Sequence, residues 1–395
     1  MRKEWEEYQA IYVHIPFCVQ KCLYCDFASY ANCNRQVKER YVAALCREID
    51  YPLSFPVAEQ ATTYFGGGTP STLTVEEIAK IVAALKAKGL WRNPKEATIE
   101  VNPGTVDVEK LKAFKGLGFT RISMGVQSLN DTELKAIGRI HTAEQALEAI
   151  AMAQKAGFEH INADVIYGLP QQSLETLKAT LSGLLATAID HISVYGLIVE
   201  EGTPLEKLLE ENKISLPDED TAADMYDFVQ EFLGQEGFIR YEISNYARRV
   251  KESQRLVDTG YSRHNDVYWR YLPYAAFGAS AASFDGVNRY TRPDNIEEYI
   301  AFTQSLGETS YEAIAEPLDA AEGLSEYLMM GLRRSAGVDL AMAKERYGVD
   351  VLQRYGRELQ PYMDLQLVEY DAENASLFLT GKGMAVGNQI FEIFV

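Results

Sequence analysis

Short runs of β-branched and aromatic residues alternate with longer stretches of helical periodicity over the first two hundred positions. The runs are AIYVHIP (10–16), TTYFGG (62–67), ATIEVNP (97–103), RISMGVQ (121–127), INADVIYG (161–168) and HISVYGLIV (191–199). Their length and composition suit buried strands. Between them lie helix start signals: Thr74 with Glu77, and Thr142 with Gln145, have the spacing of capping boxes. Gly89 and Gly157 stand where helices should stop. Strand and helix in strict alternation predict a parallel sheet with right-handed crossovers. Six such units make most of a (β/α) barrel, with a doubly wound open sheet as the competing architecture.

Polar residues decide between them, because they recur at the C-terminal ends of successive runs. His14 and a group of cysteines follow the first, and Gly66-Gly67-Gly68-Thr69 the second. Glu100 and Asn102 close the third, Gln127 the fourth, Asp164 and Tyr167 the fifth, and Tyr195 the sixth. In a barrel these ends converge on one mouth. An open sheet concentrates function at one switch point instead. The expectation is an α/β fold built on a partial (β/α)6 barrel, residues 1–200.

After position 200 the rhythm changes. A charged, proline-punctuated stretch leads to an amphipathic helix at 218–236 and a tyrosine-rich region at 238–292. Residues 201–310 are expected to extend the barrel wall or cover its mouth. Residues 311–395 read as a smaller α+β, winged-helix-like domain. Its helices at 318–335, 339–347 and 350–362 precede a hairpin (LVEYDAENASLFLT) and a last helix (GKGMAVGNQIFEIF).

Charge removes one class of partner. The 395 residues carry a formal net charge of −19, opposite in sign to a surface that tracks phosphates, so nucleic acid is set aside. The first ten residues, MRKEWEEYQA, lack the apolar core of a signal peptide. No run of about eighteen apolar residues appears. A cytoplasmic protein is expected, in which clustered thiols serve metals or redox chemistry before disulfides.

Three of the five cysteines, Cys18, Cys22 and Cys25, fall within eight positions. A structural zinc site generally wants four ligands, which Cys33 or a histidine would complete. A four-iron cluster wants one thiolate per iron, so three thiolates leave one iron open. Cys46, in a helical pattern, reads as a small core residue and Cys33 as a spare thiol. His14 is expected to brace the cysteine loop.

The spacing C-x3-C-x2-C, directly after a strand at the start of a β/α barrel, resembles the signature of the radical S-adenosylmethionine (SAM) superfamily. That resemblance implies a [4Fe–4S] cluster on Cys18, Cys22 and Cys25, with SAM on the open iron. An electron from the cluster then cleaves SAM to a 5′-deoxyadenosyl radical. YVHIPFC, YCDFASY, GGGTPS, GVQSLN, IGRIHT, DVIYGLP and HISVYGLIVEEGTPL resemble one branch over almost the whole chain. This branch holds oxygen-independent coproporphyrinogen III dehydrogenase (HemN) and the haem chaperone HemW. By resemblance, SAM contacts fall on Tyr12, Tyr24, Gly67, Gly68, Thr69, Glu100, Gln127, Arg139, Asp164, Ile198 and Ala282.

Within the branch the chaperone is the nearer match. The dehydrogenase carries a fourth cysteine where Phe27 stands here, and a longer arm before the first strand. RHNDVYW (263–269) resembles the HNxxYW motif linked with haem binding in the chaperone family, with His264 as the candidate haem ligand. The resemblance therefore implies haem as cargo, delivered to apo-haemoproteins that include membrane-associated respiratory clients. An electron donor would serve the cluster, and a homodimer is one way to shield an open iron. The alternatives are oxidative decarboxylation of coproporphyrinogen in porphyrin biosynthesis and a zinc-stabilised scaffold without catalysis.

Overall fold

The computed structural model describes residues 3–53, 55–249, 260–308 and 310–395. Part of the tyrosine-rich region, 250–259, therefore lies outside the described residues. The six expected strands form: β1 (Tyr8–Ile15), β2 (Val57–Gly67), β3 (Ala97–Val101), β4 (Arg121–Gln127), β5 (His160–Tyr167) and β6 (His191–Gly196). They lie side by side in chain order and run parallel. A doubly wound sheet would reverse its order at a switch point. This one does not, and it is read as the partial barrel.

The intervening helices are α1 (Arg35–Asp50), α2 (Val75–Ala87), α3 (Val108–Leu117), α4 (Ala143–Lys155) and α5 (Leu174–Leu185). Both expected capping boxes form, at Thr74 with Glu77 and at Thr142 with Gln145. Gly89 and Gly157 adopt φ of +69° and +90° just past α2 and α4, the left-handed turn that stops a helix. Each helix buries one stripe against the sheet, such as Ile78, Ile81, Val82 and Leu85 of α2. Every residue of β4 is buried, as expected of a strand covered on both faces.

The next segment does not stand alone. After α6 (Glu219–Gln235), β7 (Phe238–Arg240) and β8 (Asn245–Arg248) add antiparallel strands beside β6. Helix α7 (Arg263–Trp269) carries the HNDVYW residues. Strand β9 (Tyr274–Phe277) then returns to the opposite edge and pairs parallel with β1, Ala10 against Tyr274. Strands β10 (Ala282–Phe284), β11 (Asn288–Thr291) and β12 (Ala315–Pro317) continue outward from it. The wall is thus extended at both ends, on the outer side as far as Pro317, past the expected boundary at 310.

One buried charge cluster fixes this extension. The Glu48 carboxylate on α1, fully buried, accepts from Arg292 Nε at 2.8 Å and the Gly278 amide at 2.8 Å. It also accepts from Tyr299 OH at 2.7 Å and Tyr311 OH at 3.1 Å. Tyr299 lies on α8 (Ile296–Ser305).

The C-terminal region has α9 (Ala320–Leu332), α10 (Leu340–Tyr347) and α11 (Val351–Asp364) around a small sheet. The sheet comprises β13 (Val338–Asp339), β14 (Val368–Asp371) and β15 (Ser376–Leu379), with β15 in the middle. Leu324, Leu328, Leu332, Leu359 and Ile390 form its apolar centre, which Tyr271 and Phe284 of the barrel side join. The expected last helix is broken. Gly381–Ala385 and Gly387–Phe391 flank Val386, whose φ of −116° and ψ of 21° leave the helical region. Three glycines in seven residues weaken a continuous helix there. No helix among the described residues is long and apolar enough to cross a membrane.

Candidate functional site

The cysteine loop joins β1 to α1 across the C-terminal ends of the strands. Its two ends are pinned by a short parallel pairing of Phe17–Cys18 with Tyr30–Ala31. Its middle is stitched to the rim: the Leu23 amide donates to Ile137 O at 3.0 Å, and the Leu205 amide to Leu23 O at 2.9 Å. A turn between them brings the Cys25 amide to Cys22 O at 3.2 Å.

The loop closes over a cavity of ≈ 160 Å³. Its walls include Cys18, Cys22, Tyr24 and Cys25 from the loop, with Gly67, Gly68 and Thr69 from the end of β2. Glu100, Asn102, Gln127 and Asp164 come from the ends of β3, β4 and β5, and Arg139 from the rim. All three cysteines and eight of the eleven expected SAM positions therefore surround one space. Among the described residues no three His, Cys, Asp or Glu side chains converge as ligands of a metal ion would. A four-iron cluster takes one thiolate per iron, so its ligands need not meet at a point. Burial pushes the Cys18 and Cys25 thiols up, with Thr69 opposing at Cys18. Cluster binding would thus release protons.

A hydrogen-bonded arc links two of the cysteines. Arg139 Nη1 donates to Cys22 Sγ at 3.5 Å and Nη2 to Asn102 Oδ1 at 2.8 Å. Asn102 Nδ2 donates to Thr69 Oγ1 at 2.8 Å, and Thr69 Oγ1 lies 3.7 Å from Cys18 Sγ. Arg139 also donates to the Gly125 carbonyl, while its Nε is buried without a partner. An unpaired buried donor calls for an acceptor in the cavity. Asn102 is the member that the sequence reading left out of the site; its signal was a polar pair, Glu100 and Asn102, on one strand end. Gln127 completes this wall at φ +67°, where the register between β4 and β5 shifts. Left-handed backbone at a bulky residue is strain of the kind that gathers at functional sites.

Two carboxyl groups line the same cavity. Glu100 accepts from Tyr64 OH at 2.7 Å and from the Gly67 amide at 3.2 Å. Burial, reinforced by nearby Asp164, pushes its carboxyl up to about 8, against the pull of Tyr64 and the amide. Asp164 accepts from Asn162 Nδ2 at 2.7 Å and is likewise raised by burial.

The glycine segment serves the loop more than open space. A Cβ on Gly67, at φ +113°, would lie 2.5 Å from the His14 ring. One on Gly68 would meet the Phe17 carbonyl at 2.9 Å. The Gly68 and Thr69 amides donate to Ile15 O and Phe17 O. His14 braces the loop as expected, with Nε2 3.1 Å from Ala28 O and Nδ1 3.0 Å from Tyr12 OH.

The remaining expected residues lie elsewhere. Ile198 lines a larger adjoining cavity of ≈ 430 Å³, which shares Tyr24, Cys25, Glu100, Gln127 and Asp164. Phe27, 71% exposed, lines both this cavity and the one beneath the cysteine loop. Tyr12 and Ala282 line a separate cavity beside Tyr268 and Trp269. His264 is fully buried, with Nδ1 2.9 Å from Thr62 Oγ1 and Nε2 2.9 Å from Tyr268 OH. Both ring nitrogens are engaged, so neither faces an iron in this arrangement. Trp269 is covered by the Arg333 guanidinium, 4.5 Å from its ring centre.

Comparison with known proteins agrees with this architecture. Residues 12–183 match the model of the radical SAM superfamily, and residues 318–386 that of the HemN C-terminal domain. The chain is 31% identical over 384 residues to the haem chaperone HemW of Lactococcus lactis, covering 97% of this chain and 96% of that protein. It is 32% identical over 392 residues to HemW of Bacillus subtilis, covering 98% and 99%. The solved structure of coproporphyrinogen III oxidase (HemN) from Escherichia coli shares the fold. It has a TM-score of 0.79 at 23% identity and covers 99% of this chain and 90% of that one. The chain belongs to the HemW family of haem chaperones within the radical SAM superfamily.

Proposed function

We propose that this protein holds a [4Fe–4S] cluster and SAM at the barrel mouth, binds haem, and passes it to apo-haemoproteins. The observation that carries the cofactor part is the single cavity that gathers three thiols, two carboxyls and an arginine with an unpaired buried Nε. Cys18, Cys22 and Cys25 would hold the cluster. Glu100, Asp164 and Gln127 offer acceptors for ammonium and hydroxyl groups, and Arg139 offers a donor for a carboxylate. When bound, cluster and SAM supply reductive radical chemistry. The chain's own residues keep the site shaped for them: the arc spaces Cys18 from Cys22, and His14 with the glycine segment fixes the loop.

For the cargo, the position of Phe27 supports handling over decarboxylation. It stands where the dehydrogenase branch places a fourth cysteine, and its exposed ring borders the larger cavity with Leu197 and Ile198. An apolar rim of this kind suits the face of a porphyrin. Haem transfer from anaerobically reconstituted protein to an apo-haemoprotein tests the reading. Transfer by the intact protein, and its loss in a Cys18/Cys22/Cys25→Ala variant, is the expected result. Conversion of coproporphyrinogen III under reducing conditions with SAM would replace this reading with the dehydrogenase. Zinc without iron or sulfide after reconstitution would replace it with a scaffold.

A further inference from the structure

The HNDVYW helix is wired to the cofactor cavity, although His264 itself lines none of the cavities described. The His264 ring stacks on Tyr64, centroids 5.0 Å apart at 29°. Tyr64 in turn gives its hydroxyl hydrogen to Glu100 at 2.7 Å. Tyr64 also stacks with Tyr12, centroids 6.2 Å apart at 24°. His264 is locked in place by Thr62 on one nitrogen and Tyr268 on the other, and Tyr268 meets it edge-on at 90°. Its backbone amide is held by Glu96 at 3.1 Å. Burial keeps the imidazole neutral, pushing it down to about 3. One nitrogen therefore donates and the other accepts, and Thr62 and Tyr268 use both.

An axial ligand needs an unencumbered nitrogen that faces room for a macrocycle. This ring has neither. What it does have is a fixed plane against which Tyr64 is held, and with it the hydroxyl that orients Glu100. We infer that His264 is a positioning residue for the Glu100 side of the cofactor cavity, acting through Tyr64, and is not the ligand of haem iron. The inference rests on the reading that SAM occupies the cavity containing Glu100.

The test uses the full-length, anaerobically reconstituted protein with two separate readouts: SAM affinity by equilibrium dialysis and haem binding by Soret titration. His264→Phe is expected to weaken SAM about tenfold, the scale of one misplaced hydrogen bond to a charged group, and to leave the haem titration unchanged. In a Tyr64→Phe background, which already lacks the hydroxyl, His264→Phe should add little. Should His264→Phe not fold, Tyr268→Phe removes only the Nε2 partner and is expected to weaken SAM several-fold with haem binding intact. Loss of haem binding with unchanged SAM affinity would overturn the inference. So would an equal loss of SAM affinity in both Tyr64 backgrounds, which would mark general damage to the fold. If the unaltered protein takes up haem but no SAM, the underlying cofactor reading fails and takes the inference with it.

Discussion

Two buried glutamates show what different surroundings make of the same side chain. Glu48 receives four donors, one of them the Arg292 guanidinium, and ties α1 to the barrel extension. Glu100 receives two neutral donors and lines an open cavity together with a second carboxyl, Asp164. The first site is complete within the chain. The second has acceptor capacity to spare and burial that penalises its charge, as suits a group kept for a ligand. Satisfied polar groups in the core report on folding, and unsatisfied ones beside a cavity report on binding.

The comparison can be broken most forcefully at Glu48. Glu48→Gln leaves Arg292 buried without its counter-charge and is expected to cost about 3–5 kcal/mol in denaturant unfolding. Glu100→Gln should do the opposite for the protein without cofactors at neutral to mildly alkaline pH. The native carboxyl lies at about 8, above its ordinary 4.5. The stability it contributes is thus full below 4.5 and is lost as pH rises through 8. Unfolding titrations should fall across that window by up to about 1.4 kcal/mol per pH unit, and Glu100→Gln should flatten the slope while weakening SAM binding. Asn102→Ala cuts the arc between the cysteines and strands partners on both sides. It is expected to cost about 1–2 kcal/mol and to speed iron release to a chelator from reconstituted protein. Phe27→Ser, at an exposed position, should change stability by less than about 0.5 kcal/mol. Iron content should stay unchanged while haem retention falls, a comparison that separates cargo from cofactor.

What the sequence disclosed was mostly local. Capping boxes at Thr74 and Thr142, stops at Gly89 and Gly157, and the C-x3-C-x2-C spacing all act within a few residues, so pattern and position coincide. The order of the first six strands followed from alternation together with the polar residues at successive strand ends, which favoured the barrel over the doubly wound sheet. What stayed hidden depends on chain segments far apart. The arc needs Thr69 and Asn102 from two strand ends and Arg139 from the rim beyond a third. The glycines at 67 and 68 looked made for a ligand, yet their missing side chains make room for His14 and Phe17. His264 sat in a motif that suggested a haem ligand, whereas its surroundings are set by Thr62 and Tyr64 of a strand two hundred positions earlier. The last helix was predicted whole, yet three glycines divide it at Val386.

The pairing of β1 with β9 has a consequence for biosynthesis. The strand that leads into the cysteine loop leaves the ribosome more than two hundred residues before the strand that covers its outer edge. Until then β1 offers an uncovered edge, open to pairing with other nascent chains. Long-range closure of this kind is slow. A chain ended before Tyr274 should therefore aggregate, and stable iron loading should await synthesis of the last parallel strand.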